Sequence, residues 1–159
     1  MSRLPSLGPR GEGWVLVQGI LFVLILAAGF SVNGAWAREA RTVTTIVAGL
    51  LVVAGALLVA SGVLELREGF TPLPRPREGA PLVETGAYGL VRHPVYGGIV
   101  IGAVGWGLFA ASPIAIGLSL VLLVFFRLKS AREEAWLVEA HPGYEAYRAR
   151  TKRLIPFIY

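Results

Sequence analysis

The 159-residue sequence contains no cysteine and no aspartate, and its only histidines are His93 and His141. Without cysteine, disulfide bonds, thiolate metal sites and a thiol nucleophile are excluded. A metal site with several ligands is poorly supplied, because glutamate and two histidines are the remaining candidate ligands. We therefore predict that the protein holds no metal. Charged residues make up only 16% of the chain and occur in a few blocks.

Apolar residues are abundant, by contrast. They form 55% of the sequence, and the mean hydropathy is +0.64. This composition is typical of a membrane protein. The net charge of +5 then reflects membrane topology and contact with anionic lipid headgroups, and we expect no nucleic-acid partner. The length leaves room for one domain, residues 1–159.

Four apolar runs cover residues 14–32, 43–64, 96–111 and 114–126. The first two are long enough to cross a hydrocarbon core of about 30 Å as helices. Only Ser112 and Pro113 separate the last two, which predicts a helical hairpin. We therefore predict an all-α integral membrane protein with four transmembrane helices, of which the third and fourth form the hairpin.

The basic residues predict the orientation of these helices. Thirteen of the fifteen precede the first run, lie between residues 67 and 92, or follow residue 126, whereas Arg38 and Arg41 lie between the first two runs. Because cytoplasmic loops are enriched in Lys and Arg, we expect both termini on the cytoplasmic side.

Residues 35–37 (Ala-Trp-Ala) resemble a signal-peptide cleavage site. The preceding apolar run is longer than a usual signal core, so we expect that run to remain as a helix.

A dense polar and aromatic motif occupies residues 86–98, next to the third apolar run. Arg92 offers donors suited to a carboxylate or phosphate, and His93 lies near the predicted helix N-terminus, which favours anions. Tyr88 and Tyr96 supply aromatic faces that attract onium groups. Each residue taken alone is also consistent with a membrane-interface anchor.

A second polar segment, residues 127–147, follows the fourth run. Lys129 and Glu133 are four residues apart and therefore share one helical face. Glu133 and Glu134 are also consistent with a solvated pair. The tyrosines and basic residues of 144–153 predict a short amphipathic helix at the membrane interface.

These motifs resemble the isoprenylcysteine carboxyl methyltransferases and the wider group that includes phospholipid N-methyltransferases. The similarity rests on Leu82-Val83-x-x-Gly86-x-Tyr88-x-x-x-Arg92-His93-Pro94-x-Tyr96, on Glu133-Glu134 and on Pro156-Phe157-Ile158. It implies methyl transfer from S-adenosylmethionine to a membrane-partitioned acceptor, most like isoprenylcysteine carboxyl O-methylation. Residues 1–66 would form two spans, 67–95 a cytoplasmic cofactor loop, and 96–159 the hairpin and C-terminal cofactor segment.

The resemblance also implies site residues. The implied cofactor contacts are Ala80, Pro81, Leu82, Val83, Tyr88, His93, Pro94, Val95, Tyr96 and Glu133. Lys129 stands where the eukaryotic enzymes have an acceptor-binding Arg, so the charge is kept but the bidentate fork is lost. We further assign Glu133 to the amino group of the cofactor, Arg92 or its neighbouring backbone to the carboxylate, and Glu134 as the nearest candidate general base if the acceptor is an amine.

Three other functions stay open at this point. A phospholipid or other lipid N-methyltransferase would use the same cofactor on an amine. Steroid-reductase-type membrane enzymes carry a similar Tyr…Arg-His-Pro-x-Tyr pattern and bind NADPH, although this chain lacks an obvious additional basic cluster for the 2′-phosphate. The third is a membrane scaffold without activity. The sequence predicts a lipophilic small-molecule, lipid or prenylated acceptor and contact with membrane lipids, but it does not identify the acceptor as a carboxylate, an amine or a thiol.

Overall fold

A computed structural model describes residues 5–31 and 34–156, and this part of the chain is helical. The helices are α1 (Glu12–Ser31), α2 (Arg38–Leu66), α3 (Ala87–Leu90), α4 (Pro94–Phe109), α5 (Pro113–Ala140) and α6 (Tyr144–Arg150). A 3₁₀ turn (Arg67–Gly69) follows α2, and the described residues contain no strand beyond a single bridge between Val91 and Lys152. The all-α prediction is confirmed. Arg3, the end of the first predicted span at Val32, and Phe157 to Tyr159 lie outside the described residues.

Among the described residues, three helices are long and apolar enough to cross a membrane: α1, α2 and α5, whose apolar 18-residue stretches have mean hydropathies of 2.2, 2.5 and 2.0. The protein is an integral membrane protein. The helix α4 is equally apolar in sequence but has only 16 residues. At about 1.5 Å per residue it is shorter than a hydrocarbon core of about 30 Å. The predicted count of four spans therefore stays a prediction.

The helices α2 and α4 touch through their backbones. A Cβ atom at Gly55 would lie 2.7 Å from the backbone nitrogen of Gly102, and one at Gly98 would lie 2.6 Å from the carbonyl oxygen of Gly55. These positions have room only for glycine, as in other small-residue contacts between membrane helices. The close approach fixes the beginning of α4, and with it the end of the 86–98 motif, against α2.

The helix α5 connects the core to the polar end of the molecule. Its start is defined by Ser112, whose hydroxyl accepts a hydrogen bond from the backbone N–H of Ala115 (3.2 Å), with Pro113 in the first turn. Its apolar half packs on α1 and α4 around a core of Trp14, Ile25, Val100, Leu122, Phe125 and Phe126. The same helix then continues without a break through the polar residues 127–140. The second motif is therefore held on a rigid extension of the core.

The helix α6 forms where the sequence predicted an amphipathic helix, but its aromatic face is turned inward. Tyr144 and Tyr147 are only 1% and 2% exposed. Both side chains are covered by protein, so they are not available as anchors in the lipid phase. The C-terminal segment therefore contributes to the interior of the polar end.

Candidate active site

A cavity of about 1020 Å³, counted to its open mouth, lies at the polar end of the helices. Parts of α1, α4, α5, α6 and the 66–83 segment line it. Nine of the ten predicted cofactor contacts are among the lining residues: Ala80, Pro81, Leu82, Val83, Tyr88, His93, Val95, Tyr96 and Glu133. Lys129 and Arg92 line it as well. Two motifs that are separated by 28 residues in sequence, 86–98 and 127–147, thus meet around one cavity.

Pro94 and Glu134 are the predicted site residues that do not line the cavity. Pro94 is buried in the first turn of α4, where a missing backbone N–H costs nothing. The Glu134 carboxylate lies 2.8 Å from Nε of Arg92, 3.1 Å from Nε2 of His93 and 2.9 Å from a terminal nitrogen of Arg153. A general base must reach the proton that it removes. Glu134 instead pairs with the side chains of Arg92, His93 and Arg153.

Arg92 joins this buried cluster to the C-terminal segment. Besides its ion pair with Glu134, its guanidinium donates to the carbonyl oxygens of Arg148 (3.1 Å) and Thr151. The backbone N–H of Arg92 donates to Lys152 O (2.9 Å), and that of His93 donates to Arg153 O (3.0 Å). Much of the donor capacity of Arg92 is therefore used within the protein. The contacts attach residues 148–153 to the wall of the cavity.

An aromatic stack begins at the cavity wall, which His93 and Tyr96 line, and extends into the core to Phe126. The rings of His93 and Tyr96 are parallel within 5° at 5.4 Å, and those of Tyr96 and Phe126 within 9° at 4.5 Å. The Tyr96 hydroxyl donates to Oε2 of Glu133 at 2.7 Å. The Glu133 side chain is 24% exposed. It therefore presents a carboxylate to the cavity while one oxygen is fixed by Tyr96.

Three further tyrosines line the cavity: Tyr88, Tyr144 and Tyr147. The Tyr147 hydroxyl donates to the carbonyl oxygen of Tyr88 at 2.7 Å. Burial raises the pKa of the Tyr88, Tyr144 and Tyr147 hydroxyls above the usual range, so all three are neutral hydrogen-bond donors. The Tyr144 hydroxyl is buried and has no hydrogen-bond partner among residues 5–31 and 34–156. An unpaired buried hydroxyl in a cavity wall indicates a place for a polar ligand group.

Tyr88 is positioned by a residue that the sequence analysis did not identify. Glu65, at the end of α2, accepts hydrogen bonds from the backbone N–H groups of Ala87 (2.9 Å) and Tyr88 (3.4 Å). Gly86 has a φ of +56°, and a Cβ atom there would overlap the Glu65 carboxylate. The glycine is thus required both for its backbone conformation and for the approach of Glu65.

Lys129 is fully buried at the cavity, between α1 and the 67–81 loop. Its Nζ donates to Oε1 of Gln18 at 2.6 Å and to the carbonyl oxygen of Pro72 at 2.8 Å. It also lies 5.0 Å from the centroid of the Tyr96 ring, a cation–π distance. Gln18 and Pro72 were not predicted from the sequence. One available signal was that Gln18 is the only amide, hydroxyl or charged side chain between Trp14 and Phe30.

Comparisons with known proteins concern the family and the fold of the chain. The family model described as phospholipid methyltransferase matches residues 43–142. The chain is 30% identical over 112 residues to protein-S-isoprenylcysteine O-methyltransferase B of Arabidopsis thaliana. The alignment covers 68% of this chain and 57% of the relative. It is 40% identical over 79 residues to the protein-S-isoprenylcysteine O-methyltransferase of Schizosaccharomyces pombe, covering 48% of this chain and 34% of the relative.

A solved structure has the same fold. The eukaryotic intramembrane Ras methyltransferase ICMT (isoprenylcysteine carboxyl methyltransferase) matches with a TM-score of 0.68 at 20% identity, over 95% of this chain and 55% of that chain. The chain thus spans between about a third and three fifths of the length of these proteins. The family resemblance that its motifs predicted is confirmed. The chain belongs to the phospholipid methyltransferase family.

Proposed function

We propose that this protein transfers a methyl group from S-adenosylmethionine to the carboxylate of a membrane-partitioned acceptor of the isoprenylcysteine type. The observation that carries the proposal is the cavity itself, which combines the Glu133 carboxylate, the aromatic stack and the buried Lys129 ammonium. Support comes also from the relatives, whose names describe O-methylation of isoprenylcysteine.

The residues present fit this cofactor. The Glu133 carboxylate is a partner for a ligand ammonium group, and the Tyr88 ring offers a face to a sulfonium. The unpaired Tyr144 hydroxyl supplies a donor for a ligand carboxylate or ribose oxygen. When bound, S-adenosylmethionine supplies an electrophilic methyl group: an acceptor carboxylate oxygen forms the C–O bond while the C–S bond breaks and its electron pair stays on sulfur.

Positioning by the chain then accounts for much of the catalysis. Lys129 would hold the acceptor carboxylate at the inner side of the cavity, between α1 and α4. Methylation of a carboxylate releases no proton, so no general base is required. This agrees with the position of Glu134 behind the wall, and we assign Glu134 and Arg92 to holding His93 and the C-terminal segment in place.

We further propose the membrane arrangement expected from the sequence. The distribution of basic residues supports an arrangement in which both termini and the cavity mouth face the cytoplasm, where the cofactor is available. The helices α4 and α5, joined by residues 110–112, would form the hairpin of the third and fourth spans. The large apolar side chains exposed along α2 would face lipid, and an acceptor with an apolar tail would approach from that phase.

The alternatives receive less support. The named relatives are O-methyltransferases, which favours a carboxylate over a lipid amine. A family match to methyltransferases does not favour an NADPH-dependent reductase or a scaffold. A titration with S-adenosylhomocysteine and NADPH separates methyl transfer from a reductase and from a scaffold. The two methyltransferase alternatives share the cofactor and differ in the acceptor.

The test is calorimetric titration of the detergent-purified protein with S-adenosylhomocysteine, with NADPH in parallel. We expect S-adenosylhomocysteine to bind and NADPH not to bind. Glu133→Ala should abolish binding, and Glu139→Ala, an exposed carboxylate on the same helix, should retain it. Binding of NADPH, or no binding of either ligand, would refute the proposal.

A further inference from the structure

We propose that Gln18 and Lys129 act together as a two-donor site for the acceptor carboxylate, with Gln18 supplying the donor that a lysine lacks relative to an arginine. Gln18 would thereby determine specificity for an acid over its methyl ester. This inference rests on the proposed function, because it names the group that the acceptor presents to the cavity.

The contact between the two side chains fixes the orientation of the Gln18 amide. An ammonium has donors only, so its partner at 2.6 Å must be the amide oxygen, Oε1. The amide nitrogen, Nε2, is bonded to the same carbon and therefore lies beside the Lys129 ammonium. Gln18 makes no other side-chain hydrogen bond within the described ranges 5–31 and 34–156, and it lines the cavity. Its two N–H donors are thus available to a ligand.

The position of Gln18 argues for a function. An amide in an apolar run is unfavourable in the membrane unless it is hydrogen-bonded. The oxygen of Gln18 is satisfied by Lys129, whereas its nitrogen lacks a partner in the described part of the chain. A leucine would pack there without leaving an unpaired donor. The amide is therefore better explained by a ligand than by the packing of α1 against α5.

Lys129 also keeps capacity for a ligand. Its ammonium has three donors, and the contacts with Gln18 and Pro72 use two of them. The Gln18 amide nitrogen is next to the Lys129 ammonium, so the remaining donors of the two groups would offer a carboxylate the two-point contact that a single guanidinium provides elsewhere. A methyl ester has lost the negative charge and binds such a pair weakly. The same pair that holds the substrate would therefore release the product.

The test compares the affinities for N-acetyl-S-farnesyl-cysteine and its methyl ester. After S-adenosylhomocysteine binding has been measured, each probe is titrated into the protein saturated with S-adenosylhomocysteine. We expect the wild type to prefer the acid over the ester, and Gln18→Leu to reduce that preference about tenfold, the effect of losing one hydrogen bond to a charged group. Val17→Leu, a neighbouring change at an exposed position of α1, should keep the preference.

A second variant separates donation by Gln18 from mere support of Lys129. Gln18→Glu keeps an oxygen for Lys129 but removes both N–H donors, so the preference for the acid should also be lost. An unchanged preference in either variant, or equal affinities for acid and ester in the wild type, would overturn the inference. If the wild type still binds S-adenosylhomocysteine, the proposed function is not affected by that result. Failure of the wild type to bind S-adenosylhomocysteine would overturn both.

Discussion

The Tyr96 hydroxyl on α4 donates a 2.7 Å hydrogen bond to the Glu133 carboxylate on α5. Each side chain lies in the wall of the cavity. The bond connects the 86–98 motif with the 127–147 segment, which are not adjacent in the sequence. The bond orients Glu133 and leaves its other oxygen for a ligand. The relationship leads to the first of four predictions.

Tyr96→Phe removes this bond and leaves the aromatic stack in place. We expect the affinity for S-adenosylhomocysteine to fall roughly three- to tenfold, since a hydrogen bond to a charged group is lost and Glu133 becomes less well oriented. Calorimetric titration gives the affinity, and a thermal unfolding curve in the same detergent checks that the variant is folded. A folded variant with unchanged affinity would show that Glu133 is not part of the cofactor site.

Tyr144→Phe removes the unpaired hydroxyl, whereas Tyr147→Phe removes one that is bonded to the Tyr88 carbonyl. Without ligand, the first variant should be as stable as the wild type, and the second should lose about 1 kcal/mol. With S-adenosylhomocysteine, we expect Tyr144→Phe to bind several-fold more weakly because the ligand loses a donor. Unfolding curves with and without ligand measure both effects. Equal binding by Tyr144→Phe and the wild type would remove this tyrosine from the site.

Glu134→Gln leaves the surrounding Arg92 and Arg153 guanidinium groups without their buried counter-charge. Breaking a buried ion pair from one side costs about 3 kcal/mol or more, so we expect a large fall in thermal stability. Glu139→Gln, on the exposed side of the same helix, should change it by less than about 0.5 kcal/mol. Similar stabilities for the two variants would mean that the cluster is not structural.

Gly55→Ala introduces a methyl group into the backbone contact with Gly98 and Gly102. We expect a loss of about 1–3 kcal/mol from overpacking. Gly49→Ala on the same helix meets open space and should be neutral or slightly stabilising, because alanine is the better helix former. Unfolding in detergent compares the two. Equal effects would contradict the close approach of α2 and α4.

The sequence predicted the helical class and most of the cavity wall because the necessary information is local. Residues 80–96 are nearly contiguous, and Lys129 and Glu133 are one helical turn apart. The different surroundings of Glu133 and Glu134 were harder to predict, because adjacent residues on a helix point about 100° apart. The sequence did not indicate that one carboxylate enters the cavity and the other meets Arg92.

Contacts between distant segments could not be predicted in this way. Gln18 and Lys129 are 111 residues apart, and their pairing depends on how α1 packs against α5. The inward rotation of α6 has the same origin, because its tyrosines suit either an interface or a protein interior. The span count depends on α4, whose 16 residues lie below the usual length of a membrane helix.

The attachment of residues 152–153 to Arg92 and His93 has a consequence for biogenesis. These partners are made about sixty residues after the segment that they hold. Until residues 152–153 have been made, the cavity lacks these contacts on one wall, so the pocket is completed only after the long apolar helices have been synthesised. We therefore expect the pocket to form late in folding, when this basic segment pairs with Arg92 and His93.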